Sequence, residues 1–526
     1  MTPTPPVSAV TDLDQTVVLP RQTDPAVTQE IRQDPWQETP ARGVAPVGGL
    51  TGMDAALRKL AWLLPTVVMA TVAIVRAGWS SLSAEELETW GLANTPWSEL
   101  WRLRSDLEAF ELPYVALMRL WGGLLGTSDF SLRLPSLLAM TTAAALTAAL
   151  VSRLAGPRAG VLAGLLFPAV PAASRYAHEA GPQAIAVCFA VLSTTALVWL
   201  FERPRWWRVL GYAASVALLG LAHGAALLLL LAHLGAVLAL RRRVLPHWLV
   251  AAVVGVAPAV GLLFVGRAPW DIPPWREATG VPSVTEVSDV LFGLAVLGGV
   301  TAGLALLGMS LKKPAGVFAT AALFPLVALY PAARMTTLGL PELVLFTLPF
   351  WFCLAAMALH RAPLIRGVAV LGVIAVIGIP AQLDIRADDG HGLAARDVAR
   401  ILNAEAAVGD AIVYGPTPLD GRIGRDLVAR YVTAEAQPWD ALVEHPQRTD
   451  GRLLAQECAD VNLCLADAPR VWLFRAAPSA DPLEGLPAPK DGVLRVRYTL
   501  ERTWNLRGAS LSLFSLIPEL DRPAPQ

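Results

Sequence analysis

Charge is what this sequence has little of. Only 16% of its 526 residues are Asp, Glu, Lys or Arg, against 54% hydrophobic residues and a mean hydropathy of +0.50. Soluble domains carry about 25% charged residues. A deficit spread over hundreds of positions points to lipid rather than to a large water-soluble core. The net charge of -1 offers no global field for nucleic acid. Cysteine is scarce as well. Cys188 and Cys353 lie inside apolar runs, while Cys458 and Cys464 lie close together in the polar C-terminal part. Two cysteines do not make a zinc site, and a disulfide between the second pair is left open for an external location. A cleavable signal peptide is not expected, because the first apolar stretch begins only near Leu57 and the segment before it is polar and acidic.

Residues 1–55 are rich in Pro, Thr, Gln and Asp without apolar periodicity. Such a segment cannot bury enough surface to offset its ordering entropy and is expected to be a disordered cytoplasmic tail. From there to residue 383, apolar stretches alternate with short polar links. They fall at roughly 57–75, 134–152, 159–173, 181–201, 209–222, 224–240, 248–265, 288–309, 316–333, 342–359 and 367–383. Each is of a size to be read as a helix across ~30 Å of hydrocarbon, about eleven spans in all. The fold class expected is therefore an all-α polytopic membrane bundle. A further apolar run, Leu112 to Gly126, is shorter and contains Arg119. It suits an interfacial or re-entrant helix within a long external loop, 79–133.

Orientation follows from counting basic residues in the short links. With the N-terminus inside, the cytoplasmic links carry twelve: Arg153, Arg158, Arg203, Arg205, Arg208, Arg241, Arg242, Arg243, Lys312, Lys313, Arg361 and Arg366. The opposing links carry four: Arg175, Arg267, Arg276 and Arg334. This is the bias of the positive-inside rule. An odd number of spans then places residues 384–526 outside as a small α/β domain. In it, Arg396–Glu405 reads as a helix, and Ala411–Tyr414, Val471–Phe474 and Val493–Leu500 read as strands.

No span carries a charge deep inside, which argues against an ion pump or proton relay. The ionisable residues crowd the external loops instead: Glu85, Glu86, Glu88, Asp106, Glu108, Glu111, Arg175, His178, Glu179 and His223. Paired carboxylates at a membrane surface suit acid–base work on a hydroxyl, with a metal or arginine holding a departing phosphate.

Three segments carry a family resemblance. Ser81-Leu82-Ser83-Ala84-Glu85-Glu86 places an acidic pair after the first span. Leu112 to Trp121, followed by Phe130-Ser131-Leu132-Arg133-Leu134-Pro135-Ser136, is similar to a juxtamembrane helix and an "RLPS" entry to the second span. Ser174-Arg175-Tyr176-Ala177-His178-Glu179-Ala180 is similar to an "S-R-Y-x-Q-E-A" external turn. In this order and spacing, over roughly 60–380, the chain resembles the GT-C class of integral-membrane glycosyltransferases. That class includes the protein O-mannosyltransferases and the lipid A aminoarabinose transferase, and some bacterial members have a similar external domain.

The resemblance implies a transferase that moves a sugar, mannose or pentose-like, from a polyprenyl-phosphate donor to an extracytoplasmic protein, glycan or lipid acceptor in the cell envelope. It implies Glu85 or Glu86 as catalytic base and Arg175 and Arg334 at the donor phosphate. Glu108, Glu111 and Glu179 would lie on the acceptor side, and Glu108 with His223 at a divalent metal. Oxygen ligands alone would suit magnesium or manganese, and histidine admits zinc. The chain departs from the family at two positions usually basic, occupied here by Gly181 and Glu342. That departure motivates one alternative, a non-catalytic GT-C-like protein of envelope assembly; a transporter of a lipid-linked precursor is a separate alternative.

Overall fold

The structure, a computed structural model, describes residues 61–269, 271, 283–309, 315–332 and 343–518. The N-terminal tail, Arg334 and Glu342 lie outside the described residues. The described part falls within one compact unit.

The first apolar helix, α1 (Leu63–Ile74), leads into the external loop, which is itself helical: α2 (Ala84–Asn94), α3 (Trp97–Leu103) and α4 (Leu112–Leu125). Ser83 caps α2 through a capping box. Its side chain accepts from the Glu86 amide while the Glu86 carboxylate accepts from the Ser83 amide, so two otherwise orphaned donors are satisfied. The expected interfacial run is α4, and it stops at Gly126, which has a φ of 77° that glycine adopts without a Cβ penalty.

The bundle continues with α5 (Asp129–Ala155), α6 (Pro157–Ala169), the short α7 (Pro171–Ala177), α8 (Pro182–Glu202), α9 (Trp206–Ala222), α10 (Leu229–Leu240) and α11 (Leu245–Leu262). It is completed by α12 (Val284–Phe292), α13 (Ala295–Gly308), α14 (Ala315–Ala332), α15 (Leu348–Leu359) and α16 (Leu364–Ile385). Every expected span overlaps a helix, but 159–173 is divided between α6 and α7 and 288–309 between α12 and α13. Among the described residues, four helices are long and apolar enough to cross a membrane alone, at Asp129–Ala155, Pro182–Glu202, Arg242–Leu262 and Leu364–Ile385. The pair around Gly293 makes a fifth if counted as one span, although it bends by 84°. The other stretches form shorter helices, so the count of eleven rests on the sequence reading. The outer helices show water-incompatible faces: Val250, Val253 and Val254 on α11, and Val373, Val376 and Ile379 on α16, are all exposed. Contiguous exposed apolar surface of this kind is stable against lipid chains, not water.

Residues 395–518 fold as α17 (Ala395–Glu405), β1 (Ala411–Tyr414), α18 (Pro418–Tyr431), β2 (Trp439–Asp440), β3 (Val443–His445), β4 (Gln456–Glu457), α19 (Val461–Leu465), β5 (Arg470–Arg475), α20 (Ala488–Arg497), β6 (Tyr498–Leu506) and β7 (Ala509–Leu516). The main sheet has the order β2-β1-β5-β7-β6, parallel across β2-β1-β5 and antiparallel across β5-β7-β6. The α/β reading of the tail therefore matches the observed elements, with one correction. Val493–Leu500 is not one strand: it begins as the end of α20 and becomes β6 only at Tyr498. Lys490, Leu494 and Tyr498 are buried four residues apart, a helical spacing through the first two that the run of β-formers conceals. Cys458 and Cys464 are bridged.

The domain's core is not separate from the external loop. One apolar cluster joins Val398, Leu402, Leu427 and Trp472 of the domain to Leu82, Leu87 and Tyr114 of the loop and to Leu132 at the start of α5. Contacts thus run directly across the expected boundary near residue 384.

Candidate active site

The three motif segments meet at one side chain. Glu86 is completely buried. Its Oε1 accepts from Arg133 Nε at 2.7 Å and from the Ala180 amide at 2.9 Å; its Oε2 accepts from Arg133 Nη2 at 2.7 Å and from the Ser83 amide at 3.0 Å. Arg133 also donates to the carbonyl oxygens of Ala77, Ser80 and Ser81 and to Ser80 Oγ, at 2.9 to 3.1 Å. Burial alone would raise the pKa of Glu86, but the charge and hydrogen bonds of Arg133 prevail and hold it down at about 2. With four acceptor contacts filled, this carboxylate is a structural hub: it fixes the loop entry, the start of α5 and the external turn against each other. The structure gives it no access to a substrate, so of the two candidates for the base only Glu85 is placed to act.

Glu85 is exposed and faces a cavity of about 280 Å³. The face of α2 that lines it is Glu85, Glu88, Thr89 and Leu92, a spacing of i, i+3, i+4, i+7 that places all four on one side of a helix. From the next segment come Glu108, Glu111 and Tyr114; from the external turn, Glu179, Gly181 and Gln183; from the end of α9, His223. The segment bearing Glu108 is held by backbone pairing with Arg267: the Ala109 amide donates to the Arg267 carbonyl at 2.8 Å and the Arg267 amide to the Leu107 carbonyl at 2.9 Å. Gly224 lies against the Phe110 ring, where an added Cβ would come within 2.6 Å of ring carbons. Only glycine lets the end of α9 approach so closely.

Five glutamates and His223 thus line one space although they come from segments up to 138 residues apart in the chain (residues 85 to 223). Tyr114, only 7% exposed, has a hydroxyl with no hydrogen-bond partner among the described residues, and the same holds for His223 Nδ1 and Gln183 Oε1. Burial, with the charges of Glu86 and Glu179, pushes the Tyr114 phenol well above its usual pKa, so it stays a neutral donor. Polar atoms left unpaired beside a cavity gain free energy when a ligand supplies the missing hydrogen bonds. Tyr114 lies within the Leu112–Trp121 segment but was not singled out there, and Gln183 lies outside the motif segments.

Arg175 is not part of the cavity lining. It sits beside it, 53% exposed, with Nε 3.8 Å from Glu179. His178 is buried and bonds the Ala73 carbonyl through Nε2 at 2.6 Å, tying the external turn to α1. Glu108 and His223 share the cavity, but among the described residues no three His, Cys, Asp or Glu side chains converge closely enough to hold a metal ion. The residues present do not fit the implied metal, and no step is routed through one.

Residues 113–264 match the family model for dolichyl-phosphate-mannose-protein mannosyltransferase. The fold is that of ArnT from Cupriavidus metallidurans. The structure of that protein bound to undecaprenyl phosphate superposes with a TM-score of 0.52 at 14% identity, over 91% of this chain and 100% of that one. Its apo structure gives 0.53 at 15% identity, over 89% and 98%. No curated protein sequence matches the chain significantly.

Proposed function

We propose that the chain is a membrane glycosyltransferase of the GT-C class that takes a mannose- or pentose-like sugar from a polyprenyl phosphate and delivers it to an extracytoplasmic acceptor hydroxyl. The single observation that carries this reading is the convergence of Glu85, Glu108, Glu111, Glu179 and His223 on one cavity at the end of the apolar bundle. The undecaprenyl phosphate bound by ArnT, which has the same fold, supports a lipid-phosphate donor.

In this reaction Glu85 takes the proton of the acceptor hydroxyl. The acceptor oxygen bonds to the sugar's anomeric carbon from the face opposite the leaving group. The bond from that carbon to the phosphate oxygen breaks, and polyprenyl phosphate departs with the electron pair. Inversion at the carbon follows. Tyr114 and the glutamates of the cavity hold sugar or acceptor hydroxyls. Arg175, beside Glu179, and Arg334 offer the guanidinium chemistry that binds phosphate. The metal implied by the resemblance is not needed for these steps.

The test is transfer from polyprenyl-phosphate mannose or a pentose analogue by native and Glu85→Gln protein in membranes. A positioned base contributes about 10²–10⁴-fold, and a loss of that size at normal expression is the expected result. Full activity in Glu85→Gln removes the assigned base. Gly181 in the cavity wall, where the family carries a basic residue, favours a second reading. If the native protein binds polyprenyl phosphate tightly but never turns over its sugar, the chain is a non-catalytic carrier-binding protein.

A further inference from the structure

The cavity wall has a contributor from outside the membrane bundle. Glu88, one turn beyond Glu85 on α2, is held by Arg422 of α18 in the C-terminal domain. The two terminal nitrogens of Arg422 meet the two carboxylate oxygens at 2.5 and 2.7 Å. The side chains are 7% and 19% exposed respectively. Exposed ion pairs contribute little because water and salt screen them and long side chains lose entropy. This pair is largely withdrawn from water and bidentate, so it fixes geometry as well as charge.

The next turn of α2 is fitted to the same helix. A Cβ on Gly91 would lie 2.3–2.5 Å from the guanidinium atoms of Arg448, and Arg448 is locked on Asp426 of α18 at 2.8 and 2.5 Å. Glycine inside a helix costs about 0.5–1 kcal/mol relative to alanine, and here it admits a neighbouring side chain. The start of α2 is held as well. The Leu82 amide donates to the Tyr431 hydroxyl at 3.0 Å, and that hydroxyl donates to Asp129 at 3.0 Å. Asp129 also accepts from Arg396 at 2.6 Å and Arg430 at 2.8 Å. Entry, middle and last turns of α2 therefore all seat against the domain.

We infer that Arg422 is a positioning residue of the cavity, and that the C-terminal domain, through Arg422 and the Gly91–Arg448 contact, sets the register of the helix that presents Glu85 and Glu88. The site is complete only with the domain docked. This rests on the reading of the cavity as the place of sugar transfer. Arg422 neutralises a like charge one helical turn from the base and keeps the Glu88 carboxylate in the wall. Misplacement near 1 Å at a reacting centre costs about a hundredfold in rate.

The experiment uses full-length protein in nanodiscs as Arg422→Gln, Arg422→Lys, Glu88→Gln, the Arg422→Gln/Glu88→Gln double variant, and Gly91→Ala. Transfer from polyprenyl-phosphate mannose gives kcat and KM; thermal unfolding and hydrogen exchange over residues 84–94 are read in parallel. The expected result is a roughly ten- to hundredfold fall in kcat for Arg422→Gln, with KM little changed and faster exchange in 84–94. Arg422→Lys should recover part of the loss, and Gly91→Ala should act in the same direction with the ion pair chemically intact. The double variant should be no worse than the weaker single, the signature of coupled residues. Independent, multiplicative effects in the double variant overturn the inference. So does lowered thermal stability with unchanged kcat per folded molecule. A native protein with no turnover sinks the transferase reading instead; the exchange data then decide the docking claim alone, which fails if Arg422→Gln leaves 84–94 as protected as in the native chain.

Discussion

Glu85 and Glu86 are neighbours in sequence but point about 100° apart around one helix, and that rotation divides their work. Glu85 looks into the cavity; Glu86 looks into the protein and gathers Arg133, Ser83 and Ala180. The acidic pair was legible in the sequence as a candidate base. Which member faces the cavity was not, because the motif admits either. The Glu86–Arg133 pair leads to a prediction with a definite sign. The folded-state pKa of Glu86 lies at about 2, below the ordinary value of 4.5. Its contribution to stability is therefore complete above pH 4.5 and lost as the pH falls toward 2. In thermal unfolding across that range, Glu86→Gln should start from a lower Tm at neutral pH and show a shallower acid limb than the native protein. Removing one partner of a buried pair costs about 3–5 kcal/mol. Superimposable acid limbs would show that Glu86 is not the hub described.

Elements show a second division, between polar groups that the bundle uses for cohesion and those that it exposes to a ligand. His233 lies buried in α10. Its two ring nitrogens meet Tyr212 Oη at 2.9 Å and Thr194 Oγ1 at 3.1 Å, and Trp248 Nε1 donates to the same Tyr212 oxygen at 2.8 Å. Four helices, α8 to α11, are thus joined by one satisfied network. Groups that cannot find water inside a bilayer are held by each other. Tyr212→Phe leaves His233 Nδ1 and Trp248 Nε1 without their partner, a cost of about 1–3 kcal/mol for a buried unsatisfied group. The expected outcome is a lower unfolding midpoint in detergent with donor-lipid binding retained. An unchanged midpoint would remove the network's structural role. At the same scale, the helices were legible because apolar length is a local property. The 84° bend between α12 and α13 and the switch from α20 to β6 were not, since packing partners decide both.

For the whole molecule, the position of the cavity relative to the bilayer gives the reading its meaning. The positive-inside count predicts that the C-terminal domain and the α2–α4 loop lie outside. The structure joins those two regions through the Glu88–Arg422 pair and a common apolar core, so they must share a side. Single cysteines introduced at exposed sites, Val408 in the domain and Arg203 in a short link, test the orientation. In intact cells a membrane-impermeant maleimide should label position 408 and spare position 203. The reverse pattern would place the cavity in the cytosol and remove the extracytoplasmic acceptor.

By itself the sequence determined what depends on neighbours along the chain: the apolar stretches and their charge bias, the α/β nature of the tail, and the order of three short motifs. The tertiary structure alone decided which of two adjacent carboxylates reaches the cavity. It also bridged Cys458 to Cys464, where the sequence left the pairing open, and brought Arg422 to Glu88 across 334 positions. Contacts of such separation are fixed by how finished elements pack, by shape, burial and pairing of charge, and none of these is written in the periodicity of a single segment.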